Sequence, residues 1–396
     1  MRIPVPLVCI AIALSQSWPG LWGPGRNGEA TVVAAPSVIK EVWRRQTAGG
    51  YSEIAVVGGR AVTAELRSGR DVVVALDPTT GRELWTAEIG PTYKGHDGSD
   101  DGPIATPAID SDFVFAAGPH GMLVGLDAVN GRERWRHNLV KEFGAEVPAW
   151  GFGASPLIEG TFVIVPTGGA KSRGLLAFDR ASGKLAWSAS HAKTPAYSSA
   201  VSTSIAGTKQ VVAAAGDRVF AVSPADGALL WSIAGLGADQ AIANPPLVLP
   251  GDRVLYSSWD MSVMLKIDKD GTALRATETW RSPKLRAYNG PTLYRDGLLF
   301  AFVGPWLVCA DASTADIKWR EKVGEGTLVA VGSHLLALGQ TSGDLRVVRI
   351  SPDRYEEVLR TRVLTPDVVS VTGPSVANGR VFIRNLREMA SFAVGS

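Results

Sequence analysis

The chain has 396 residues, 45% of them apolar, with 44 glycines and charges that nearly cancel at +2. Such a balance describes a globular, turn-rich chain and excludes bulk charge as a reason to bind nucleic acid or a membrane surface. A length that normally suggests two or three domains fits one body if the chain is a closed array of repeats.

The N-terminus carries Arg2, an apolar run from Val5 to Leu14 broken by Pro6, and small residues at Ser15 and Ser17. This predicts a secretory signal peptide over residues 1–17, cut before Trp18; an uncleaved anchor is the alternative. Cys9 lies inside that segment and leaves Cys309 alone in the mature chain, so no intramolecular disulfide can form. Val8 before Cys9 is a poor lipidation signal. Residues 18–36 are expected to be an N-terminal extension, and residues 37–396 a single repeat domain.

Along that domain one phrase recurs: an acid, a glycine four residues on, a tryptophan four further. It occurs as Asp77/Gly81/Trp85, Asp127/Gly131/Trp135 and Asp179/Gly183/Trp187, and decayed as Ser223/Gly227/Trp231 and Asp311/Ala315/Trp319. A stretched copy runs from Asp268 through Gly271 to Trp280. Counted from Trp43, successive tryptophans are 42, 50, 52, 44, 49 and 39 residues apart, the period of a β-propeller blade.

Within each unit, apolar strands are separated by Gly/Asp turns. In the second unit these are Thr106–Ile109, Phe113–Ala116, Leu123–Leu126 and Glu133–Trp135. Four short strands joined by hairpins make one blade. The phrase is then the last hairpin: its glycine supplies positive φ, its acid accepts turn N–H groups, and its tryptophan is buried between neighbouring sheets. The fixed spacing favours this packing role over a row of sugar-stacking rings. After Trp319 a unit without tryptophan runs from Leu328 to Arg360, and three last strands end at Val394. Val38–Trp43 has the look of the missing outer strand, so the chain is predicted to be all-β, an eight-bladed propeller of four-stranded antiparallel blades closed by an N-terminal strand, with about 47 residues per blade.

The repeat resembles the tryptophan-docking phrase of pyrroloquinoline quinone (PQQ) propellers. Trp18–Gly28, Gly102–Ala108, Trp150–Pro156 and Ala196–Ser199 are similar to secreted bacterial PQQ-binding-like β-propeller repeat proteins, which implies a periplasmic or extracellular location. In quinoprotein dehydrogenases the resemblance implies PQQ, a calcium ion held by side-chain oxygens, an aspartate base and a disulfide of adjacent cysteines. This chain has no adjacent cysteines and no haem-attachment motif, and shared fold does not carry shared function.

Zinc-protease, nucleophile-elbow and phosphate-loop motifs are absent and the five histidines are scattered. The loop His96, Asp97, Asp100, Asp101 is the one cluster with metal-ligand character; a solvated rim loop is the simpler account. Tyr51, Ser52, Asp101, Trp150, Tyr197, Ser198, Asn244, Tyr288 and Asn289 precede or open the first strand of their blades, which places them around one mouth of the central channel. Aromatic bodies with polar tips suit a small-molecule or peptide pocket; capping of strand ends is the alternative. The sequence therefore favours a non-catalytic cell-envelope binding or scaffold propeller, with a PQQ/calcium oxidoreductase or an outer-membrane protein assembly factor-like scaffold as alternatives. No catalytic residues are assigned, the partner is an unspecified protein or small molecule, and no transmembrane helix is expected after signal cleavage.

Overall fold

The computed structural model describes residues 17–30, 38–168, 174–191, 197–215, 218–235, 244–287 and 290–395. Tyr288, Asn289, Cys9 and all but the last residue of the predicted signal peptide lie outside the described residues. Eight sheets are arranged as blades: 55–91, 108–138, 157–189, 201–234, 247–282, 293–322 and 326–362 form blades 1 to 7. Blade 8 combines Ser375–Ala377, Arg380–Arg384 and Glu388–Gly395 with Val38–Gln46, which pairs antiparallel with Glu388–Gly395 from Val38 opposite Gly395 to Gln46 opposite Glu388. The chain is an eight-bladed propeller whose first long strand closes its last blade. Among the described residues the one helix is Leu139–Phe143, capped by Asn138 and ended by left-handed Gly144.

The middle strands of each blade are packed on both faces by neighbouring blades. For this reason Leu335-Leu-Ala-Leu338 is a continuous apolar run, all four residues buried. The apolar clusters lie between blades: one joins Val62, Val73 and Trp85 of blade 1 to Val114 and Leu126 of blade 2. Another joins Trp187 and Leu175 to Phe220.

All eight outer pairings shift register beside the tryptophan position, so the recurring phrase is a turn plus a β-bulge. The bulge aims the indole sideways, at the next blade. Trp43 donates from Nε1 to the Pro78 carbonyl at 3.0 Å, Trp85 to Ala128 at 3.1 Å, Trp135 to Arg180 at 2.9 Å and Trp187 to Pro224 at 3.0 Å. Each ring lies on the glycine of that next hairpin. A Cβ on Gly81 would sit 2.7 Å from Trp43, one on Gly131 2.4 Å from Trp85, and one on Gly183 2.6 Å from Trp135. The three also have φ of 71° to 72°, a conformation costly for other residues. The acid holds the same turn, Asp77 Oδ1 accepting from the N–H groups of Thr79 (2.7 Å) and Thr80 (3.1 Å).

The glycine and the tryptophan of one phrase therefore serve two different interfaces. Asp77, Gly81 and Trp85 share a hairpin but not a docking contact: Gly81 seats Trp43 of blade 8, while Trp85 leaves for Gly131 of blade 2. Gly81 is also only half-buried, where Gly131 and Gly183 are buried. Its role is to make room for an indole arriving from the chain's first long strand, so the contact that closes the ring has the same chemistry as those within it.

Opposite six of the seven tryptophans, across the sheet, stands a small residue, Ala75, Gly125, Ala177, Ala221, Cys309 or Ser391; Trp280 instead faces Met264. Cys309 therefore fills a packing position beneath Trp319, and burial pushes its thiol up to about 12. The series has two breaks, since blade 7 carries Leu359 at the tryptophan position and blade 4 turns its indole inward. Blade 5 ends in a long hairpin, and Trp231 donates instead to Gln210 Oε1 of its own blade at 2.6 Å.

Residues 17–30 run through the middle of the ring. Trp18 exchanges two backbone hydrogen bonds with Val56 of blade 1 (2.8 and 2.7 Å), and the Pro19 carbonyl accepts from Ile109 of blade 2. A compact turn follows, and Glu29–Ala30 then pairs in parallel with Ala330–Val331 of blade 7. The segment thus crosses from one side of the axis to the other.

Two outcomes are expected. Trp135→Ala removes a buried indole from between two blades and destabilises the fold by about 3 to 5 kcal/mol in denaturant titrations. Deleting residues 38–46 opens the edge of Glu388–Gly395, so the melting temperature drops sharply and light scattering detects association; a deletion variant that melts like the parent contradicts the closure.

Candidate functional site

The blade starts converge on one end of the axis. There the inner strands are stitched together by short polar side chains. Glu53 N–H donates to Thr106 Oγ1 (2.9 Å), Thr106 N–H to Ser155 Oγ (2.9 Å) and Ser155 N–H to Ser199 Oγ (2.8 Å), which links blades 1 to 4. Ser198 Oγ donates to the Asn244 carbonyl and Asn244 Nδ2 to the Ala287 carbonyl, carrying the chain of bonds toward blade 6. On the other side Thr327 donates to the Thr372 carbonyl, and Gly373 N–H returns to Glu53 Oε1 (3.1 Å). A serine or threonine at this position satisfies a neighbour's N–H that the short inner strand cannot pair.

The axial segment docks inside that ring through two buried charges. Arg26, fully wrapped, donates to the carbonyls of Ser155 (3.2 Å), Ala200 (3.0 Å) and Pro156. Loss of solvent lowers its pKa to about 10, so it remains a cation at neutral pH. Glu53 Oε2 accepts from Trp22 N–H at 2.9 Å. Burial raises its carboxyl to about 7, against the pull of the Trp22 and Gly373 N–H groups and the Arg26 charge.

Above Leu21 and Trp22 of this plug opens a cavity of about 610 Å³, of the size that takes a small ligand. Tyr51, Tyr93, Trp150, Tyr197 and Trp259 supply aromatic surface to its wall, and Glu53 and Thr106 lie at its base. The loop between blades 1 and 2 folds over the same end. Tyr51 OH accepts from Asp100 N–H at 2.6 Å, and His96 stacks on Trp150 with ring centroids 6.0 Å apart. Tyr197 OH accepts from Trp150 N–H (3.1 Å), which ties blade 3's entry to blade 4's. Burial raises the pKa of both Tyr51 and Tyr197, so both phenols stay neutral.

Of the sequence-predicted mouth residues, Tyr51, Trp150, Tyr197 and Asn244 line this cavity, as do Asp97 and Asp100. Ser52 and Ser198 are buried in hydrogen bonds behind it. Ser52 Oγ accepts from Ala64 N–H, and its carbonyl accepts from the buried Arg384. Asp101 turns away to Lys94 (2.6 Å) and Gly95 N–H (2.9 Å), which hold its carboxyl below the usual range. His96 spends its two ring nitrogens on Asp97 (3.0 Å) and the Ala149 carbonyl (3.0 Å), contacts that raise its pKa. The loop's four candidate ligands are therefore not gathered round a point, and no group of three or more His, Cys, Asp or Glu able to hold a metal occurs among the described residues. Cys309 lies buried in blade 6. This donor set does not fit a metal-bound quinone flanked by a disulfide. Trp22, Tyr93, Trp259, Glu53 and Thr106 escaped the sequence reading; Glu53 and Thr106 had a visible signal in their offset before the first strand.

Fold and site together define a PQQ-like propeller with a plugged axis and an aromatic mouth. A family model described as outer membrane protein assembly factor BamB matches residues 69–301, more than half of the chain, and the chain belongs to this family. No curated protein sequence matches it. Among solved structures, BamB from Moraxella catarrhalis is 17% identical with a TM-score of 0.64, over 90% of this chain and 98% of its own. A europium-containing methanol dehydrogenase is 12% identical with a TM-score of 0.67, over 96% and 98%. The computationally designed Ika8 protein is 11% identical with a TM-score of 0.61, over 90% and 100%. Likeness at this level shows the fold, which the same architecture lends to an assembly factor, an enzyme and a designed ring alike.

The charge state of Glu53 gives a test. Its folded carboxyl binds a proton up to about pH 7, whereas the unfolded one releases it near 4.5, so this group's contribution to stability falls as pH rises across that window. Glu53→Gln removes the dependence. Between pH 5 and pH 8 the stability of the variant relative to wild type should rise by on the order of 3 kcal/mol, measured by denaturant titration at both pH values. A difference that does not change with pH contradicts the buried-acid account.

Proposed function

We propose that this protein is a non-catalytic binding propeller of the bacterial cell envelope, exported by its N-terminal leader, with a ligand or partner received at the mouth of the channel. The observation that supports this most is the cavity of about 610 Å³ whose floor is the chain's own N-terminal segment. A pocket floored by the buried plug of Trp18, Trp22 and Arg26 and walled by aromatic rings is suited to holding a ligand. Tyr51, Trp150, Tyr197 and Asn244, with Tyr288 and Asn289, carry the binding. His96 and Asp97 act as rim residues. Membership of the BamB-described family supports an envelope scaffold with a protein partner as the nearest form of this reading, and among the described residues no helix is long and apolar enough to cross a membrane.

Calorimetry with PQQ and calcium on the mature protein separates binding module from quinoprotein. Heat of stoichiometric binding should be absent, and dye-linked alcohol or sugar oxidation should stay at background after reconstitution. Saturable turnover that requires PQQ and is lost in Asp101→Ala contradicts the reading. Trp150→Ala should weaken a bound mouth ligand by about tenfold or more while leaving the melting temperature unchanged, because this ring is 38% exposed and carries little of the core.

A further inference from the structure

The mouth continues outward along one radius. Trp259 and Gln340 of its wall also line a smaller cavity of about 300 Å³, and Arg286 and Gly304 of that cavity line a third, of about 780 Å³, between blades 5 and 6. The three form one trough across the face, and its two ends have opposite chemistry. Among the described residues, the mouth lining contains Glu53, Asp97 and Asp100 and no lysine or arginine. The outer groove is lined, among the described residues, by Lys284, Arg286, Lys318 and Arg320 and by no acid. In a chain whose net charge is +2 this separation is local and not a product of bulk composition.

The cations come from two places in the sequence. Lys284 and Arg286 follow the outer strand Ala273–Ser282 of blade 5, while Lys318 and Arg320 alternate along Ile317–Lys322, the outer strand of blade 6. Arg320 is held with its guanidinium 4.9 Å above the Trp306 ring, so part of the cost of ordering it is met before any ligand arrives. Lys318 reaches Asp311 at 3.5 Å, a part-exposed pair that a better-placed carboxylate can displace. Between the charges the groove is apolar, with Pro305, Val303 and Ile317 in its lining. A bare inorganic anion has no use for that surface, whereas a polypeptide with acids separated by aliphatic side chains covers both.

We propose that the groove between blades 5 and 6 binds an acidic, aliphatic-bearing segment of a partner polypeptide, with its carboxylates on Lys284, Arg286, Lys318 and Arg320. The site stands apart from the mouth and holds whether or not the mouth takes a ligand. It is tested on the intact mature protein by fluorescence anisotropy with a fluorescein-labelled hexapeptide of alternating glutamate and leucine. Saturable binding is expected at low salt, weakening as salt rises. The double variant Lys318→Glu, Arg320→Glu should lose about tenfold or more in affinity, with Lys284→Glu, Arg286→Glu as the second pair if the first does not fold. Lys184→Glu, on an exposed turn of blade 3, should bind like wild type. No saturable binding, equal binding of the glutamine-for-glutamate peptide, or indifference to both charge reversals overturns the proposal. Displacement by inorganic phosphate at concentrations equal to those of the unlabelled peptide also overturns it, in favour of a simple anion site.

Discussion

The indole of one blade rests on the turn glycine of the next, and this contact fixes the angle between sheets that lets the ring close. In blades 8, 1, 2 and 3 three things combine to make it: a bulge that turns the indole out of its own sheet, a glycine that leaves room for it, and a small residue behind it. Trp135 shows all three, pairing with Gly125 in its own blade and lying on Gly183 in the next. The hydrogen bond to the following carbonyl adds direction to what is otherwise a large apolar contact. No blade is a folded unit alone, because each has half of its two faces' partners in a neighbour.

Closure at the rim leaves an axis to be filled, and the chain fills it with its own start. The compact turn from Gly20 to Gly28 carries a buried arginine to carbonyls of blades 3 and 4, while Glu53 grips Trp22 and Gly373. Carbonyls satisfy Arg26 and N–H groups satisfy Glu53, so the two charges are solvated by backbone dipoles more than by each other. With the channel blocked, exposed aromatic and charged surface is concentrated at one end, where the acidic mouth and the cationic groove share a face.

The architecture was legible because its determinants are local. Acid, glycine and tryptophan lie within one hairpin, and the unpaired outer strand at Val38–Trp43 could be matched to three strands left over at the far end. Which indole each glycine receives was not legible, since Gly81 and Trp43 are in different blades and meet only through closure. Placement of Tyr51 and Tyr197 at the cavity followed from a shared offset before the first strand, and that of Trp150 from its place just upstream of its blade. The next residues along, Ser52 and Ser198, point behind the wall, because side chains alternate along an extended segment. Residues 18–30 have no repeat character, so nothing in their pattern shows a path through the axis. The groove is equally silent, since its cations lie in separate blades and meet only when blades 5 and 6 are side by side. The acidic loop misled for the opposite reason: carboxylates adjacent in sequence are turned to Lys94, Tyr51 and His96 instead of to one another.

Two junctions depart from the rule that holds the ring. Trp231 is bonded to Gln210 within blade 4, and blade 7 carries Leu359 at the tryptophan position, so blades 4 and 5, and blades 7 and 8, are joined by packing without the indole-to-carbonyl bond of the other interfaces. If that bond sets the strength of each interface, the ring has two defined weak points. Native-state hydrogen exchange read blade by blade measures this directly. The amides of Leu229–Ala234 in blade 4 and of Glu357–Arg362 in blade 7 should exchange through low-energy local openings while Glu83–Pro91 and Glu133–Asn138 exchange only with global unfolding. Equal protection across all eight interfaces, or first opening at blades 1 and 2, would contradict the account.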